Sequence, residues 1–330
     1  MISNSGGKIL SFYQEAKKLS NGEMIIPRFV SIWLSTICNL RCPYCYFSEI
    51  NKKGNLIDTN SIKKVLVQLS DCGVESVEFS GGGEPTLHQD CYNLAEFANS
   101  LGLKVGMLTN GYKLDSVKFK YFDYIRVGLD ATDLNEYKLM KGKEEGFNLA
   151  ISFAEKVLKK RKGNRPRIGF KFMISSKNYL NVSEMIWLSS FIGVDYCHFK
   201  GMHSYRDELS MEQMNKVERV LELYREKTPN YVYGSVKKIK PFYKCFMSPI
   251  HAVINSNCEL LICCYFTSKQ YIIGNMNKEK FKLIWFGNKH KKIIKKIRIE
   301  DCAKVDCRWH YYNTEMKEIL EKGKYDLSFI

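Results

Sequence analysis

The apolar positions of this chain follow two spacings between residue 28 and about residue 226. Short runs rich in Val, Ile and Phe are typical of buried strands, and longer segments repeat their apolar residues with a helical period. The pattern predicts strands over 28–35, 74–79, 103–108, 124–129, 168–174 and 196–200. It predicts helices over 60–70, 91–100, 146–160, 182–191 and 211–226. Such alternation indicates an α/β fold with a parallel sheet.

Glycine-rich and polar motifs follow four of the predicted strands. A cysteine motif occupies 38–45, a glycine run 81–83, Thr-Asn-Gly 109–111 and a Leu-Asp pair 129–130. In barrels of parallel strands, the loops after the carboxyl ends of the strands form the active site. We therefore expect these motifs to meet at one edge of the sheet.

The cysteine motif has the spacing C-x3-C-x2-C and consists of Cys38, Cys42 and Cys45. Three thiolates on one loop can bind three irons of a cubane cluster and leave the fourth iron without a protein ligand. Structural zinc and iron–sulfur sites usually take four protein ligands, so a set of three indicates an open coordination position. A zinc knuckle is the alternative, disfavoured because no nearby Cys or His supplies a fourth ligand.

This motif, followed by Gly-Gly-Gly-Glu-Pro at 81–85, resembles the radical S-adenosylmethionine (SAM) superfamily. The resemblance implies a partial (βα)6 barrel in which Cys38, Cys42 and Cys45 bind a [4Fe–4S] cluster. The open iron of that cluster binds SAM. The resemblance also implies an enzyme that cleaves SAM reductively to a 5′-deoxyadenosyl radical, which takes hydrogen from a substrate.

The same resemblance suggests residues that bind SAM. Gly82 and Gly83 let the backbone approach the ligand closely, and Glu84 can pair with the SAM ammonium. Gly128 stands where many members carry Ser, which leaves other side chains for the ribose contact. The further candidates near the adenine, the ribose or the substrate are Tyr44, Asn110, Asp130, Ser175 and Ser176.

Cysteines become dense from residue 241, and the elements become shorter. Their order, which ends in a C-x4-C pair, resembles the SPASM/twitch extension of the same superfamily. The resemblance implies a small C-terminal iron–sulfur module with one auxiliary [4Fe–4S] cluster. The implied ligands are Cys245, Cys263, Cys302 and Cys307. A tetrahedral zinc site is the alternative, because a C-x4-C pair also suits zinc.

Two further cysteines of this region, Cys258 and Cys264, remain unassigned. Relatives usually carry Gly where Cys258 stands, and Cys264 adjoins an implied ligand, so either of them can replace one. As free thiols, both are candidate catalytic residues that return a hydrogen atom to a substrate radical. Cys72, Cys91 and Cys197 are predicted to be core residues, since free Cys is commonly buried.

The 330-residue length allows one large or two smaller domains. The motifs predict an N-terminal extension at 1–28, a radical SAM partial barrel at 29–230, an auxiliary cluster domain at 241–312 and a C-terminal tail helix at 313–330. We find neither an apolar run of bilayer length nor an apolar signal segment in residues 1–20, which predicts a cytoplasmic protein. The twelve cysteines then lie in a reducing compartment, where disulfides are rare.

The net charge of +16 suits anionic partners. We expect a flavodoxin or ferredoxin as electron donor and a peptide or small anionic substrate. Nucleic acid is disfavoured because the chain has no RNA-recognition signature. The segment KHKKIIKKIR at 289–298 reads as an amphipathic helix with a solvated basic face, and a docking surface for an acidic electron carrier is the alternative.

Three functions follow from these motifs. The first is hydrogen abstraction from a peptide or small molecule, with the auxiliary cluster assisting an oxidation or cross-link, as in peptide maturation. The second is an epimerase or dehydrogenase that acts on a sugar, a cyclitol or a nucleotide-linked substrate. The third, a non-catalytic iron–sulfur or zinc regulator, is disfavoured because a regulator has no need of an open three-cysteine site.

Overall fold

The structure is a computed structural model that describes residues 13–52, 54–113, 118–202, 208–228, 231–236, 245–297, 299–302, 307, 309, 312–314 and 316–317. These residues form one ten-stranded sheet. Its strands are β1 (Phe29–Ile32), β2 (Ser76–Phe79), β3 (Lys104–Thr109), β4 (Tyr124–Gly128), β5 (Arg167–Ile174), β6 (Tyr196–Gly201), β7 (Val232–Ser235), β8 (His251–Ile254), β9 (Glu259–Leu261) and β10 (Ile272–Asn275). Strands β1 to β7 are parallel and neighbour one another in chain order.

The described helices alternate with these strands. They are α1 (Tyr13–Ser20), α2 (Ser48–Lys52), α3 (Thr59–Asp71), α4 (Cys91–Ser100), α5 (Leu134–Lys141), α6 (Gly146–Lys160), α7 (Val182–Ile192), α8 (Met211–Lys227), α9 (Phe281–Trp285), α10 (Asn288–Lys295) and α11 (Ile299–Cys302). Every helix and strand predicted between residues 28 and 226 is present, with shifts only at the ends. The α/β fold with a parallel sheet is therefore confirmed.

Several described elements were not predicted, among them α5, β7 and β8. Helix α5 precedes α6, and β7 adds a seventh parallel strand beside β6. Strand β8 pairs in parallel with β1 and is joined to β9 by an antiparallel hairpin, so the region after residue 241 continues the same sheet beyond β1. The division of the chain into an N-terminal extension, a barrel, an auxiliary cluster domain and a tail helix stays a prediction. Most of the predicted tail helix at 313–330 lies outside the described residues.

The two faces of the sheet differ in polarity. One face carries buried apolar side chains such as Val77, Ile125 and Phe170, which belong to the main hydrophobic core. The other face, here called the lumen face, carries Ser31, Glu78, Tyr124, Arg126, Lys171, Tyr196, His198 and Lys200. Parallel strands with helices on both faces are apolar throughout, so this alternation places the lumen face toward the interior of the partial barrel.

Two glycines let aromatic rings lie across the lumen face. A Cβ atom on Gly106 would lie 2.3 Å from the ring of Tyr124, and one on Gly169 would lie 2.5 Å from the ring of Tyr196. Any larger residue at either position would therefore displace a tyrosine. Glycine inside a strand commonly marks such a close approach.

Candidate active site

The cysteine loop, residues 38–45, follows β1 and leads into α2. The Cys45 N–H donates to the Cys42 carbonyl at 3.0 Å, and the Arg41 guanidinium donates to the Cys38 carbonyl at 2.8 Å. Cys38, Cys42 and Cys45 are each partly exposed. The backbone of the loop is thus fixed while its thiols stay accessible, which fits a cluster bound at the surface of the loop.

Burial raises the pKa of all three thiols. The pKa of Cys38 reaches about 11, and the ammonium of Lys141 opposes the rise at Cys42 and Cys45. A cysteine must lose its proton to bind a metal. Assembly of a cluster at this loop therefore releases protons.

The glycine run packs against the segment that enters the cysteine loop. The Gly83 N–H donates to the Ser35 carbonyl and the Glu84 N–H donates to the Ile37 carbonyl, each at 2.8 Å. A Cβ atom on Gly83 would lie 2.1 Å from the Ile37 carbonyl oxygen. Only glycine allows this contact between the two backbones, and the contact brings Glu84 beside the cysteine loop.

The Glu84 carboxylate is buried in a network of donors. It accepts hydrogen bonds from the hydroxyls of Thr86 at 2.7 Å and Thr109 at 2.6 Å, and from the Asn110 N–H at 2.7 Å. Burial raises the pKa of Glu84, and these hydrogen bonds oppose the rise. The Asn110 amide in turn donates to Asn39 of the cysteine loop at 2.8 Å. The ends of β2 and β3 therefore meet at the loop, as the sequence predicts.

Asp130 contacts a second predicted residue, Tyr44. The Tyr44 hydroxyl donates to Asp130 Oδ2 at 2.6 Å, the Lys141 ammonium pairs with the same oxygen, and the Met173 N–H donates to Oδ1 at 2.7 Å. Burial acts to raise the pKa of Asp130, but Lys141 and Lys171 hold that pKa below its ordinary value. Asp130 is therefore a buried carboxylate that stays ionised.

Lys141 was missed by the sequence analysis. It is the last residue of α5, which ends at Gly142 in the left-handed conformation (φ +84°). The Arg41 N–H donates to the Lys141 carbonyl at 3.4 Å, so the end of this helix lies against the cysteine loop. The Lys-Gly pair at 141–142, which is typical of a helix end, was the available signal.

Ser175 lies in the turn after β5. It is fully buried, and its N–H donates to Asn178 Oδ1 at 2.7 Å. The Asn178 amide donates to the carbonyls of Met173 and Asp130 at 2.8 and 3.3 Å. The turn therefore supports the Asp130 loop, and the ribose contact of Ser175 or of the partly exposed Ser176 stays a prediction.

An apolar group that the sequence did not reveal completes this side of the site. Met140, Met173 and Met202 form a buried cluster against the ring of Tyr44. Methionine is flexible and polarisable, so such a cluster adapts its shape to a ligand. Residues from α5, β5 and the segment after β6 meet here, which no local pattern predicts.

The C-terminal cysteines come together as a second group. The Cys307 thiol has a pKa of about 12, raised first by burial and then by the neighbouring Cys245, Cys264 and Cys302. A hydrogen bond with Cys264, followed by burial, raises the pKa of Cys263. The four implied ligands and Cys264 therefore share one neighbourhood. In the part of the chain that the structure describes, no three Cys, His, Asp or Glu side chains are placed to hold a single metal ion.

Residues 34–168 match the radical SAM superfamily, and residues 245–308 match the SPASM iron–sulfur cluster-binding domain. The first match contains the cysteine loop, Glu84 and Asp130, and the second contains the second cysteine group. The chain belongs to the radical SAM superfamily. Membership confirms an enzyme with a [4Fe–4S] cluster, SAM and an auxiliary iron–sulfur site as its cofactors. The individual ligands and the number of auxiliary clusters stay predictions.

Two relatives of this radical SAM protein differ in their chemistry. A probable GTP 3′,8-cyclase of Sulfurisphaera tokodaii is 24% identical over 276 residues, which cover 76% of this chain and 86% of the relative. A PqqA peptide cyclase of Gluconobacter oxydans is 29% identical over 214 residues, which cover 59% of each chain.

The fold also resembles that of a solved structure. SuiB of Streptococcus suis, bound to the precursor peptide SuiA, superposes with a TM-score of 0.71 at 17% identity. The match covers 96% of this chain and 79% of SuiB. At this identity the likeness concerns the fold, and it agrees with the radical SAM barrel predicted from the motifs.

The two candidate hydrogen donors of this radical SAM protein lie in different surroundings. Cys264 packs with Trp33 and Phe47 in a small apolar cluster next to the cysteine loop. Cys258 lies in the turn between β8 and β9 with φ +58°, where burial raises its pKa and a hydrogen bond with Asn277 opposes the rise. Glycine adopts a left-handed backbone without strain, which agrees with the Gly that the resemblance implies at this position. Both donor assignments stay predictions.

The predicted core cysteines lie apart from both groups. Cys91 and Cys197 are completely buried, and burial raises the pKa of Cys197 to about 12. Cys72 is half-buried at the end of α3. In the described residues, none of the helices is long and apolar enough to cross a bilayer. The cytoplasmic location stays a prediction.

Proposed function

We propose that this radical SAM enzyme abstracts hydrogen from a peptide and, assisted by its auxiliary cluster, carries the product to an oxidation or a cross-link. The similarity to a PqqA peptide cyclase supports a peptide substrate. The observation that carries the proposal is the packing of Cys263 and Cys264 in one cluster with Trp33 and Phe47, residues that flank the cysteine loop. Both cysteine groups thus border the same end of the barrel.

The residues of the active site have three proposed roles: to hold the cluster, to bind the SAM ammonium and to bind the SAM carboxylate. When bound, SAM and the [4Fe–4S] cluster supply a 5′-deoxyadenosyl radical by reductive cleavage. Cys38, Cys42 and Cys45 would hold the cluster, and Glu84 would accept hydrogen bonds from the SAM ammonium. Lys141, which lies near Cys42 and pairs with Asp130, would be the cation for the SAM carboxylate.

Asp130 fixes the position of these groups. Its carboxylate links the cysteine loop through Tyr44, helix α5 through Lys141 and strand β5 through the backbone of Met173. The methionine cluster covers the same side of Tyr44 with apolar surface. An apolar wall excludes water from a reactive intermediate, so the substrate is expected on the lumen face below this wall.

A nucleotide-linked substrate is the second candidate. Similarity to a probable GTP 3′,8-cyclase extends over 76% of this chain, and the lumen face carries several cations. The peptide is favoured because the auxiliary cysteines are joined to the barrel by strand β8, as one continuous sheet. A non-catalytic regulator is not retained, because the chain belongs to a superfamily of enzymes.

The test is SAM cleavage by the anaerobically reconstituted protein, followed by a search for modified peptides. We expect 5′-deoxyadenosine from the reduced wild type and from Cys72→Ala, a variant at a half-buried thiol outside both groups. We expect none from Cys42→Ala. Formation of 5′-deoxyadenosine by Cys42→Ala would contradict the ligand assignment, and modification of nucleotides alone would replace the peptide with the second candidate.

A further inference from the structure

Three cations lie on adjacent strands of the lumen face: Arg126 on β4, Lys171 on β5 and Lys200 on β6. Each is half-buried. The sheet register pairs Arg126 with Gly169, two positions before Lys171 on the same face of β5. It pairs Lys200 with Met173, two positions after Lys171 on that face. The cations therefore step diagonally across the strands toward the end of the barrel that holds the cysteine loop.

Tyrosines lie against the two outer cations. Arg126 Nε donates to the Tyr196 hydroxyl at 3.4 Å, and the guanidinium lies 5.7 Å from the ring centroid of Tyr124 and 5.6 Å from that of Tyr196. Lys200 Nζ lies 3.2 Å from the Tyr265 hydroxyl. Aromatic faces attract a cation by their quadrupole and carry no net charge, so the two tyrosine rings leave the positive charge of Arg126 in place.

The central cation, Lys171, has neither a hydrogen bond nor an ion pair to its ammonium within the described ranges. Burial lowers its pKa to about 8; Asp130 opposes this, and Lys200, Lys141 and Arg126 lower it further. Like charges in a partly desolvated site repel strongly unless an anion joins them. The surroundings of Lys171 thus favour an anionic ligand.

The carboxylates described on this face are already engaged. Glu78 accepts hydrogen bonds from the Tyr124 hydroxyl and from Ser80 at 3.0 Å. Asp130 is held by Tyr44 and Lys141. Asp130 attracts Lys171 without contacting it, so within the described ranges no carboxylate forms an ion pair with the Lys171 ammonium where the substrate is expected.

We propose that Lys171, with Arg126 and Lys200, binds a carboxylate of the peptide substrate, either an acidic side chain or a free C-terminal carboxylate. This inference rests on the proposed function, because it places the peptide on the lumen face. Charge-assisted hydrogen bonds to a carboxylate are among the strong ones. Phosphate sites typically use a cradle of backbone N–H groups at a loop or helix N-terminus, whereas these cations stand on strands whose N–H groups pair within the sheet.

The test measures binding of four small probes to the reconstituted, SAM-bound holoenzyme. N-acetylglutamate α-amide presents a side-chain carboxylate and N-acetylglycine a terminal one, while N-acetylglutamine α-amide is the uncharged match and N-acetylphosphoserine amide presents a phosphate. We expect at least one carboxylate probe to bind about tenfold more tightly than the glutamine probe, as a charge-assisted hydrogen bond allows. Tighter binding of N-acetylglutamate α-amide would indicate an acidic side chain of the peptide, and tighter binding of N-acetylglycine would indicate its C-terminal carboxylate.

Substitutions at Lys171 test whether this residue causes the preference for the carboxylate probes over the glutamine probe. We expect Lys171→Met to abolish the carboxylate preference, Lys171→Arg to keep it, and Lys159→Met, at an exposed position of α6, to leave it unchanged. Equal binding of acid and amide by the wild type overturns the proposal, as does a preference that survives in Lys171→Met. If the phosphate probe binds much more tightly than both carboxylate probes, the proposal that the site binds a carboxylate is wrong.

A fourth outcome points to the cofactor. If Lys171→Met weakens SAM binding but keeps the probe preference, then Lys171 serves the SAM carboxylate and the proposal is wrong. Probe binding needs no turnover, so it can be measured whether or not the protein cleaves SAM. A failure of the proposed function is therefore distinguishable from a failure of this inference.

Discussion

The Tyr46 hydroxyl donates a hydrogen bond to the backbone carbonyl of Tyr265 at 2.7 Å. The two rings also meet edge to face, with centroids 5.1 Å apart. Tyr46 directly follows Cys45, and Tyr265 directly follows Cys264. This contact therefore ties the loop of the first cysteine group to the hairpin that carries the second.

Removal of the Tyr46 hydroxyl tests how much this tie stabilises the protein. We expect Tyr46→Phe to lower the free energy of unfolding by about 1 kcal/mol, the usual contribution of one hydrogen bond. Denaturant unfolding measures the change. Tyr233→Phe is the matched control, because no described residue forms a hydrogen bond with the Tyr233 hydroxyl. Equal losses in both variants would show that the Tyr46 contact adds nothing.

Iron content tests the auxiliary site. Two [4Fe–4S] clusters require about eight irons per chain after anaerobic reconstitution. We expect Cys245→Ala to retain about four, because one ligand of the auxiliary cluster is lost, and we expect Cys258→Ala to retain about eight. About four irons in the wild type, accompanied by zinc, would mean that the second group is a zinc site.

The left-handed backbone of Cys258 predicts an unusual order of stabilities. Because φ is +58°, Cys258→Gly is expected to be more stable than Cys258→Ala by about 1 kcal/mol. At Cys72, where φ is −84°, the order should reverse. Unfolding of the four variants measures both differences, and the same order at both positions would contradict the backbone argument.

The two candidate hydrogen donors can be compared in heavy water. A thiol that returns hydrogen to a substrate radical leaves solvent deuterium in the product. The proposed oxidation or cross-link returns no hydrogen, so deuterium in the product would indicate the epimerase alternative. In that case we expect loss of incorporation only in Cys264→Ala, because Cys264 packs with residues that flank the cysteine loop. Unchanged incorporation in both variants would remove the thiol-donor hypothesis.

Much of the fold was predictable because its signals are local. The strong helical period at 146–160 gives α6 with its observed bounds, and each motif after a strand lies where the barrel rule places it. The contact of Lys141 with Asp130 was not predictable, since it depends on where α5 ends and on the positive φ of Asp130 (+57°). The pairing of β8 with β1 joins residues more than two hundred positions apart, and no local pattern encodes such a pairing.

The basic face of α10 tests the proposed electron donor. Lys291, Lys292 and Lys295 are exposed, while His290 is buried against Trp285. We expect Lys291→Glu with Lys292→Glu to slow reduction by an acidic flavodoxin about tenfold at low salt and to leave reduction by dithionite unchanged.

The matched control for that experiment is Lys159→Glu with Lys160→Glu, which changes the same charge on the exposed end of α6. If both pairs slow the flavodoxin reaction equally, net charge rather than a docking surface governs the rate, and α10 has only a solvated basic face.

The most direct test of the account is electron paramagnetic resonance of the reduced, oxygen-free protein with and without SAM. Cys245→Ala combined with Cys263→Ala leaves only the N-terminal cysteine loop to hold a cubane cluster. We predict a [4Fe–4S] signal in this variant that changes when SAM is added, because SAM binds the iron that has no protein ligand. A protein without a cubane at this loop, or a cubane signal that SAM leaves unchanged, would contradict the central claim.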